Sequence, residues 1–289
     1  MSAIDYHAPH SVTEALALLA RTDRRSRVLA GGTDLLVQLR AGRVEPERIV
    51  DIKHIAGMRD IRQDARGFHI GAAVTCAEIG EHGALRGAWP GLVEGINLIG
   101  STQVQGRATP AGNLCNASPA ADSVPAMIAA GTICVIAHAG GEREVAVEDF
   151  VTGPGRNCLG AGEFLVGLRV PAPPPRASDA YLRLIPRTEM DIAVAGVGVS
   201  LAVDADGVCC AARVAIGAVA PTALLVPDAG AALQGSRLDD AVLAKAMAAA
   251  RAACRPIDDK RGTAEYRIHV TGILVQRATR IALQRIASV

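Results

Sequence analysis

The chain has 289 residues, half of them apolar, and a formal net charge of +1. This length predicts a full hydrophobic core and two domains, and the small net charge argues against a nucleic acid or an anionic membrane surface as partner. Seven cysteines without CxxC spacing predict neither an iron–sulfur nor a zinc site, and scattered free thiols favour a reducing compartment. The amino terminus lacks the pattern of a signal peptide, and no run of about 18 apolar residues occurs. We therefore expect a cytoplasmic, soluble protein without a membrane span.

The first 55 or so residues predict a small α/β unit. Ser11 and Glu14 form a capping pattern ahead of an apolar stripe and predict a helix directly after Ser11. Strands are predicted over 27–30 and 47–52, with a helix over about 34–41 between them.

The following segment predicts a second unit that mixes helices with paired strands. The predicted strands cover 59–62, 68–71, 133–137, 144–147 and 164–170. The predicted helices cover 75–82, 89–98 and 122–130. A proline-rich segment at 171–175 cannot continue a helix or a central strand, so it predicts a linker and a domain boundary near residue 176.

The last third of the chain predicts long strands followed by two helices. The strands cover 180–186, 192–203 and 208–219. One helix covers 236–254 with a cap formed by Ser236 and Asp239, and the other covers 264–287 with one apolar face.

The first of two glycine-containing loops is Ala30-Gly31-Gly32-Thr33-Asp34-Leu35, which follows a predicted strand and opens a helix. Glycine permits positive φ and close approach of the backbone, so successive N–H groups can bind one anion near the helix N-terminus. The residues alone support equally an anion-binding loop and a plain turn in which Asp34 caps the helix. The loop is not GxGxxG, so the dinucleotide fingerprint of the Rossmann fold is absent.

The second loop, Thr109-Pro110-Ala111-Gly112-Asn113-Leu114, lies about eighty residues later and leads toward Ser118 and Asp122. Thr109 and Asn113 offer side-chain donors, and Asp122 offers an acceptor for a ribose hydroxyl. Taken alone, this segment is better explained by Asx and Ser turns that cap the next helix. Taken together, two loops of this kind can hold a diphosphate from both sides, which predicts a dinucleotide cofactor.

Four motifs in order make the chain resemble the FAD-binding medium subunit of the molybdenum hydroxylases, the family of the carbon monoxide dehydrogenase and xanthine dehydrogenase flavoproteins. They are the two loops, Met190-Asp191-Ile192-Ala193, and Arg261-Gly262-Thr263-Ala264-Glu265-Tyr266-Arg267. The resemblance implies an α+β fold. Residues 1–176 would form a two-subdomain FAD-binding module of the vanillyl-alcohol-oxidase type, divided into about 1–55 and 56–176. Residues 177–289 would form a small antiparallel sheet with helices, the C-terminal flavoprotein domain of the carbon monoxide dehydrogenase type.

The resemblance also assigns the cofactor contacts. Both loops would hold the diphosphate, Asp122 would contact the ribose side, Leu165 and Arg183 would lie near the adenine and ring ends, and Ile192 would lie near the isoalloxazine ring. The full set is Ala30, Gly31, Gly32, Thr33, Asp34, Leu35, Thr109, Ala111, Gly112, Asn113, Ser118, Asp122, Leu165, Arg183 and Ile192. No catalytic residue and no metal ligand are predicted.

The second loop departs from the pattern of its relatives, which usually read Gly-Thr-Ile-Gly-Gly-Asn. Pro110 removes an N–H donor, and Ala111 replaces a glycine, so positive φ there would cost about 1 kcal/mol. We therefore expect weaker FAD binding than in the relatives.

The resemblance implies an electron-transfer role. A large subunit with a molybdenum cofactor would hydroxylate the substrate with oxygen from water, and a small subunit with two two-iron two-sulfur clusters would pass electrons to FAD on this chain. The final acceptor stays open among NAD⁺, a quinone, a cytochrome and oxygen, and the assembly would be a dimer of heterotrimers, an (LMS)2 heterohexamer. Two alternatives remain: a free-standing FAD oxidoreductase, and a scaffold subunit that has lost FAD.

Overall fold

A three-stranded parallel sheet opens the chain in the computed structural model, which describes residues 4–188 and 190–288. Its strands lie in the order β1-β3-β2, and two helices connect them. The elements are β1 (Asp5–His7), α1 (Val12–Leu19), β2 (Ser26–Leu29), α2 (Leu35–Arg40) and β3 (Arg48–Asp51). The cap predicted for α1 is confirmed, because the Ser11 hydroxyl accepts the N–H of Glu14 at 3.2 Å.

The position of β2 in this sheet determines where the first glycine loop lies. β3 occupies the centre and is buried along its whole length, whereas β2 is an edge strand with one side unpaired. The chain leaves β2 at Leu29 and enters the loop directly, so the loop extends from an open edge of the sheet.

A five-stranded antiparallel sheet forms the centre of the second unit, in the order β4-β5-β10-β6-β7. Its strands are β4 (Ile61–Asp64), β5 (Gly67–Gly71), β6 (Ile133–His138), β7 (Gly141–Ala146) and β10 (Phe164–Pro171). A short pair, β8 (Val151–Gly153) with β9 (Arg156–Asn157), precedes β10. All three phenylalanines of the chain are fully buried here: Phe68, Phe150 and Phe164.

Short helices cover this second unit. They are α3 (Cys76–Glu81), α4 (Gly83–Ala88), α5 (Pro90–Ile96), α6 (Thr102–Gln105), α7 (Pro110–Cys115), α8 (Ser123–Ala129) and α9 (Val147–Phe150). The sequence did not predict α4 or α6, and it predicted a loop where α7 lies. Both α5 and α7 carry proline at their first position, where the missing N–H has no intrahelical partner to lose.

The last third of the chain forms an antiparallel sheet in the order β11-β12-β13-β14, covered by three helices. The elements are β11 (Ala177–Leu184), β12 (Ala195–Val203), β13 (Cys209–Gly217), β14 (Leu224–Leu225), α10 (Pro227–Leu233), α11 (Asp240–Ala253) and α12 (Ala264–Ala287). The predicted start of α11 at Ser236 was wrong. Leu238 has a φ of +58°, which a helix interior excludes, so Asp239 caps the helix by accepting the N–H of Val242 at 2.9 Å.

The two larger sheets meet through α5 and α8, which pack on β11, β12 and β13. Asp179 on β11 is almost completely buried, and its carboxylate accepts the N–H groups of Gly91 and Leu92 at 2.8 and 2.7 Å. These N–H groups belong to the first turn of α5 and have no partner within the helix. A residue of the four-stranded sheet β11-β12-β13-β14 therefore caps a helix of the second unit. None of the described helices is both long and apolar enough to span a membrane.

Candidate cofactor-binding site

A cavity of about 720 Å³ lies between the first unit and the second. This volume is in the range of small-molecule and cofactor sites. Three stretches of chain contribute most of its wall: β2 with the first glycine loop, the segment 108–116 that contains α7, and the segment 155–165. Single residues of adjacent elements complete it. Eleven of the fifteen predicted FAD contacts line it: Ala30, Gly31, Gly32, Thr33, Asp34, Leu35, Thr109, Ala111, Gly112, Asn113 and Leu165.

The first glycine loop has the geometry of an anion site. Gly32 has a φ of +79°, and a Cβ on Gly31 would overlap the carbonyl oxygen of Arg107, so the loop packs backbone against backbone on the chain that leads to α7. Within residues 4–188 and 190–288, the N–H groups of Gly31, Gly32, Thr33 and Asp34 donate to no protein acceptor. Four free donors in succession at a cavity wall fit the diphosphate of a dinucleotide.

The alternative interpretation of the first loop, in which Asp34 caps the helix, does not hold. Asp34 occupies the cap position of α2, but its side chain makes no capping hydrogen bond and lies exposed at the cavity. Lys53 holds the loop in place, because its Nζ donates to the carbonyl of Ala30 at 3.0 Å and to Asp51 at 2.7 Å. Asp51 in turn accepts the hydroxyl of Tyr6 at 2.5 Å.

The second loop is a short helix rather than a glycine turn. Thr109 caps α7 by accepting the N–H of Gly112 at 2.9 Å, which leaves that N–H unavailable to a ligand. The expected strain at Ala111 was wrong, since Ala111 lies inside α7 and has no positive φ. Pro110 at the first helical position likewise loses no internal hydrogen bond. Among the described residues, the N–H groups of Thr109 and Ala111 at this end of α7 donate to no protein acceptor.

Side-chain amides connect the two walls of the cavity. Gln38 of α2 donates to Asn116 at 3.0 Å, and Asn157 donates to the carbonyl of Cys115 at 3.0 Å. Asn113 accepts the hydroxyl of Ser123 at 2.8 Å, so its carbonyl oxygen is engaged with α8 while its amide group stays available at the cavity.

The other four predicted contacts lie away from this cavity. Asp122 is buried and accepts from the Tyr181 hydroxyl at 3.0 Å and from Arg183 at 2.5 Å, which joins the start of α8 to β11. Burial raises the pKa of Asp122 to about 6, against the lowering effects of Arg183 and Tyr181. Ser118 accepts the N–H of Ala120 at 3.3 Å in a local turn, as the alternative interpretation of this segment expected.

Ile192 lies half exposed on the loop between β11 and β12, outside the cavity. The preceding Asp191 accepts the N–H of Ile192 at 2.7 Å and pairs with Arg261 at 3.0 Å. The third and fourth family motifs therefore meet in space. Met190, the first residue of the third motif, is exposed on the same loop with a φ of +53°, and its carbonyl accepts from Arg187 at 2.8 Å.

Sequence reasoning missed three contributors to the site. Lys53 is an isolated basic residue after a strand, and no local pattern announces its bond to Ala30. Arg27 lines the cavity from β2. The segment 155–163 also lines it, with positive φ at Gly155 and Gly162, and its glycines were a visible signal in the sequence.

Comparison with known proteins gives a consistent result along the chain. The family model for the FAD binding domain in molybdopterin dehydrogenase matches residues 2–173, and the model for the CO dehydrogenase flavoprotein C-terminal domain matches residues 180–282. The carbon monoxide dehydrogenase medium chain of Afipia carboxidovorans is 34% identical over 97% of this chain and 97% of its own length.

Solved structures agree with these matches. Reconstituted CO dehydrogenase from Oligotropha carboxidovorans superposes with a TM-score of 0.93 at 33% identity, covering 98% of this chain and 99% of its counterpart. Quinoline 2-oxidoreductase from Pseudomonas putida 86 gives a TM-score of 0.89 at 29% identity, covering 98% and 97%. The matches confirm the predicted α+β organisation, a FAD-binding domain followed by a C-terminal flavoprotein domain.

Proposed function

The chain belongs to the FAD-binding medium subunits of the molybdenum hydroxylases, the family of the carbon monoxide dehydrogenase and xanthine dehydrogenase flavoproteins, and we propose that it is the electron-transfer subunit of such an enzyme. It is thus the flavoprotein part of an oxidoreductase. When bound, FAD would supply the redox chemistry that links a partner's iron–sulfur clusters to an external electron acceptor.

The observation that carries this proposal is the row of four free N–H groups, Gly31 to Asp34, on the wall of a cavity of about 720 Å³. We propose that these groups bind the FAD diphosphate, assisted by the N–H of Ala111 and the side-chain amide of Asn113. Lys53 keeps the loop in place through Ala30. Apolar side chains such as Leu29, Phe164 and Leu165 form the remaining wall and limit the access of water to the cofactor.

The remaining predicted contacts are proposed to act at the other end of the cofactor. Ile192 would lie beside the isoalloxazine ring, held by the ion pair of Asp191 with Arg261. Asp122 and Arg183 would fix the second unit against β11 next to that end. None of these groups is positioned as an acid or base, which fits a role limited to carrying electrons.

The partners follow from the same proposal. A large subunit would hold the molybdenum cofactor and the substrate, and a small subunit would hold two two-iron two-sulfur clusters, in an (LMS)2 assembly. The relatives bear the names of chemically unlike substrates, carbon monoxide and quinoline, on one fold, which supports a substrate pocket on another chain. The free thiols of all seven cysteines support a cytoplasmic location, and we keep residue 176 as the domain boundary.

Isolation of the native complex tests this function. Native mass spectrometry combined with flavin absorbance should find the chain with a large and a small partner and one FAD per copy of the chain. A chain that is isolated alone and oxidises an organic substrate would contradict the subunit role in favour of a free-standing oxidoreductase. A colourless complex whose medium chain takes up no added FAD would favour a scaffold.

A further inference from the structure

The charge on the cavity wall is uneven. Arg27, Asp34 and Glu163 are the charged side chains that line it, so Arg27 is the one cation among the described lining residues. Glu163 is already neutralised, because Arg143 donates to its two oxygens at 3.0 and 2.7 Å. An ionised diphosphate placed beside Asp34 therefore has Arg27 as its available positive partner.

Arg27 also differs from the other arginines of its segment in having no carboxylate partner within the described part of the chain. Its neighbours are paired: Arg21 with Asp23, Arg24 with Asp5, and Arg25 with Glu47. The Arg27 side chain is exposed on the edge strand β2, and none of its five N–H donors bonds an acceptor among the described residues.

The place of Arg27 in the fold indicates which half of the cofactor it meets. Leu19, Ser26 and Val44 line the cavity beside it, and all belong to the first unit. Among the described residues, no hydrogen bond joins residues 4–55 to residues 177–288. The proposed ring contact, Ile192, belongs to that distant domain, so the Arg27 end of the cavity is the end away from the flavin ring.

We propose that Arg27 binds the adenylate half of FAD, with its guanidinium on the phosphate of that half, and that it makes the site selective for FAD over FMN. This inference rests on the proposed function. Guanidinium groups pair with phosphate oxygens through two parallel hydrogen bonds, which lysine cannot reproduce. FMN lacks the adenylate, so it gains nothing from Arg27.

Binding measurements on the full-length protein, stripped of flavin, test the assignment. Flavin fluorescence gives the Kd for FAD and for FMN, and displacement of FAD gives the Kd for ADP. Arg27→Gln should weaken FAD and ADP about tenfold, equivalent to about 1.4 kcal/mol, and leave FMN unchanged, with Arg27→Lys in between. The matched control is Arg40→Gln, because Arg40 is exposed on the adjacent α2 and does not line the cavity.

The outcomes separate cleanly. Unchanged FAD and ADP affinity in Arg27→Gln would overturn the assignment, and so would a loss of FMN affinity equal to that of FAD. An equal loss of FAD and ADP affinity in Arg40→Gln would show that any nearby positive charge has this effect, and it would also overturn the assignment. If the wild-type protein binds no FAD, the proposed function itself fails. Thermal unfolding of each variant verifies that the fold is intact.

Discussion

The packing of Gly31 gives the most direct test of the cofactor loop. A Cβ at this position would collide with the carbonyl oxygen of Arg107 and would lie 2.8 Å from its carbonyl carbon. Both atoms are backbone, so neither can rotate away as a side chain does. Gly31→Ala must therefore separate the first loop from the chain that leads to α7, and overpacking of this kind costs about 1–3 kcal/mol of stability.

The same displacement moves the free N–H groups of the loop. A hydrogen bond to a charged group contributes about 1.5–3 kcal/mol, so losing one such bond to the diphosphate should weaken FAD binding about tenfold or more. Flavin fluorescence titration of the apoprotein measures the Kd, and urea unfolding measures the stability.

The matched control is Gly87→Ala. Gly87 lies in α4 with nothing within 4 Å of its Cβ position, so alanine there should stabilise the helix by up to about 1 kcal/mol and leave FAD binding unchanged. If Gly31→Ala binds FAD as the wild type does, the diphosphate does not lie on this loop and the proposed site is wrong.

Three further predictions concern the supports of the site. Asp179→Ala should lower the free energy of unfolding by about 2–5 kcal/mol in urea titrations, because it leaves two buried N–H donors of α5 unpaired. The control Asp240→Ala, at an exposed position, should lower it by no more than about 1 kcal/mol. Equal losses in the two variants would refute the capping role of Asp179. Lys53→Met should weaken FAD binding about tenfold by releasing Ala30. The control Lys245→Met on α11 should leave FAD binding unchanged. An unchanged Kd for FAD in Lys53→Met would argue against Lys53 as the residue that holds the loop. Burial raises the pKa of Asp122 to about 6 from 3.8, so the ionised carboxylate is disfavoured in the folded state and the contribution of Asp122 to stability declines as the pH rises from about 4 to about 6. The stability of Asp122→Asn relative to wild type should therefore increase between those pH values in denaturant titrations, and a decrease would mean that pairing with Arg183 outweighs burial.

Local pattern predicted most of the elements because it depends on neighbours in sequence. The helix over 264–287 was predicted with the limits it has, since its apolar face and the capping Thr263 are continuous signals. The strand predicted over 133–137 corresponds to β6, and the strand predicted over 144–147 overlaps β7, which begins earlier, at Gly141. The prediction of a loop over 109–114 was wrong. The proline and glycine of this segment are typical of turns, but both are also tolerated in the first turn of a helix.

The same contrast between local sequence pattern and tertiary packing applies to the candidate site. The sequence by itself determined that Gly31 and Gly32 follow a strand, that a second polar segment lies some eighty residues later, and that the motifs are those of a FAD-binding family. Only the tertiary structure decided that Gly31 packs on the backbone of Arg107 and that Lys53 holds Ala30. It also decided that Arg27 lines the cavity, whereas Asp122 pairs with Arg183 and does not line the cavity. Backbone turns follow from the conformational freedom of individual residues, but a partner dozens of residues away is chosen by packing, which leaves no periodic trace in the chain.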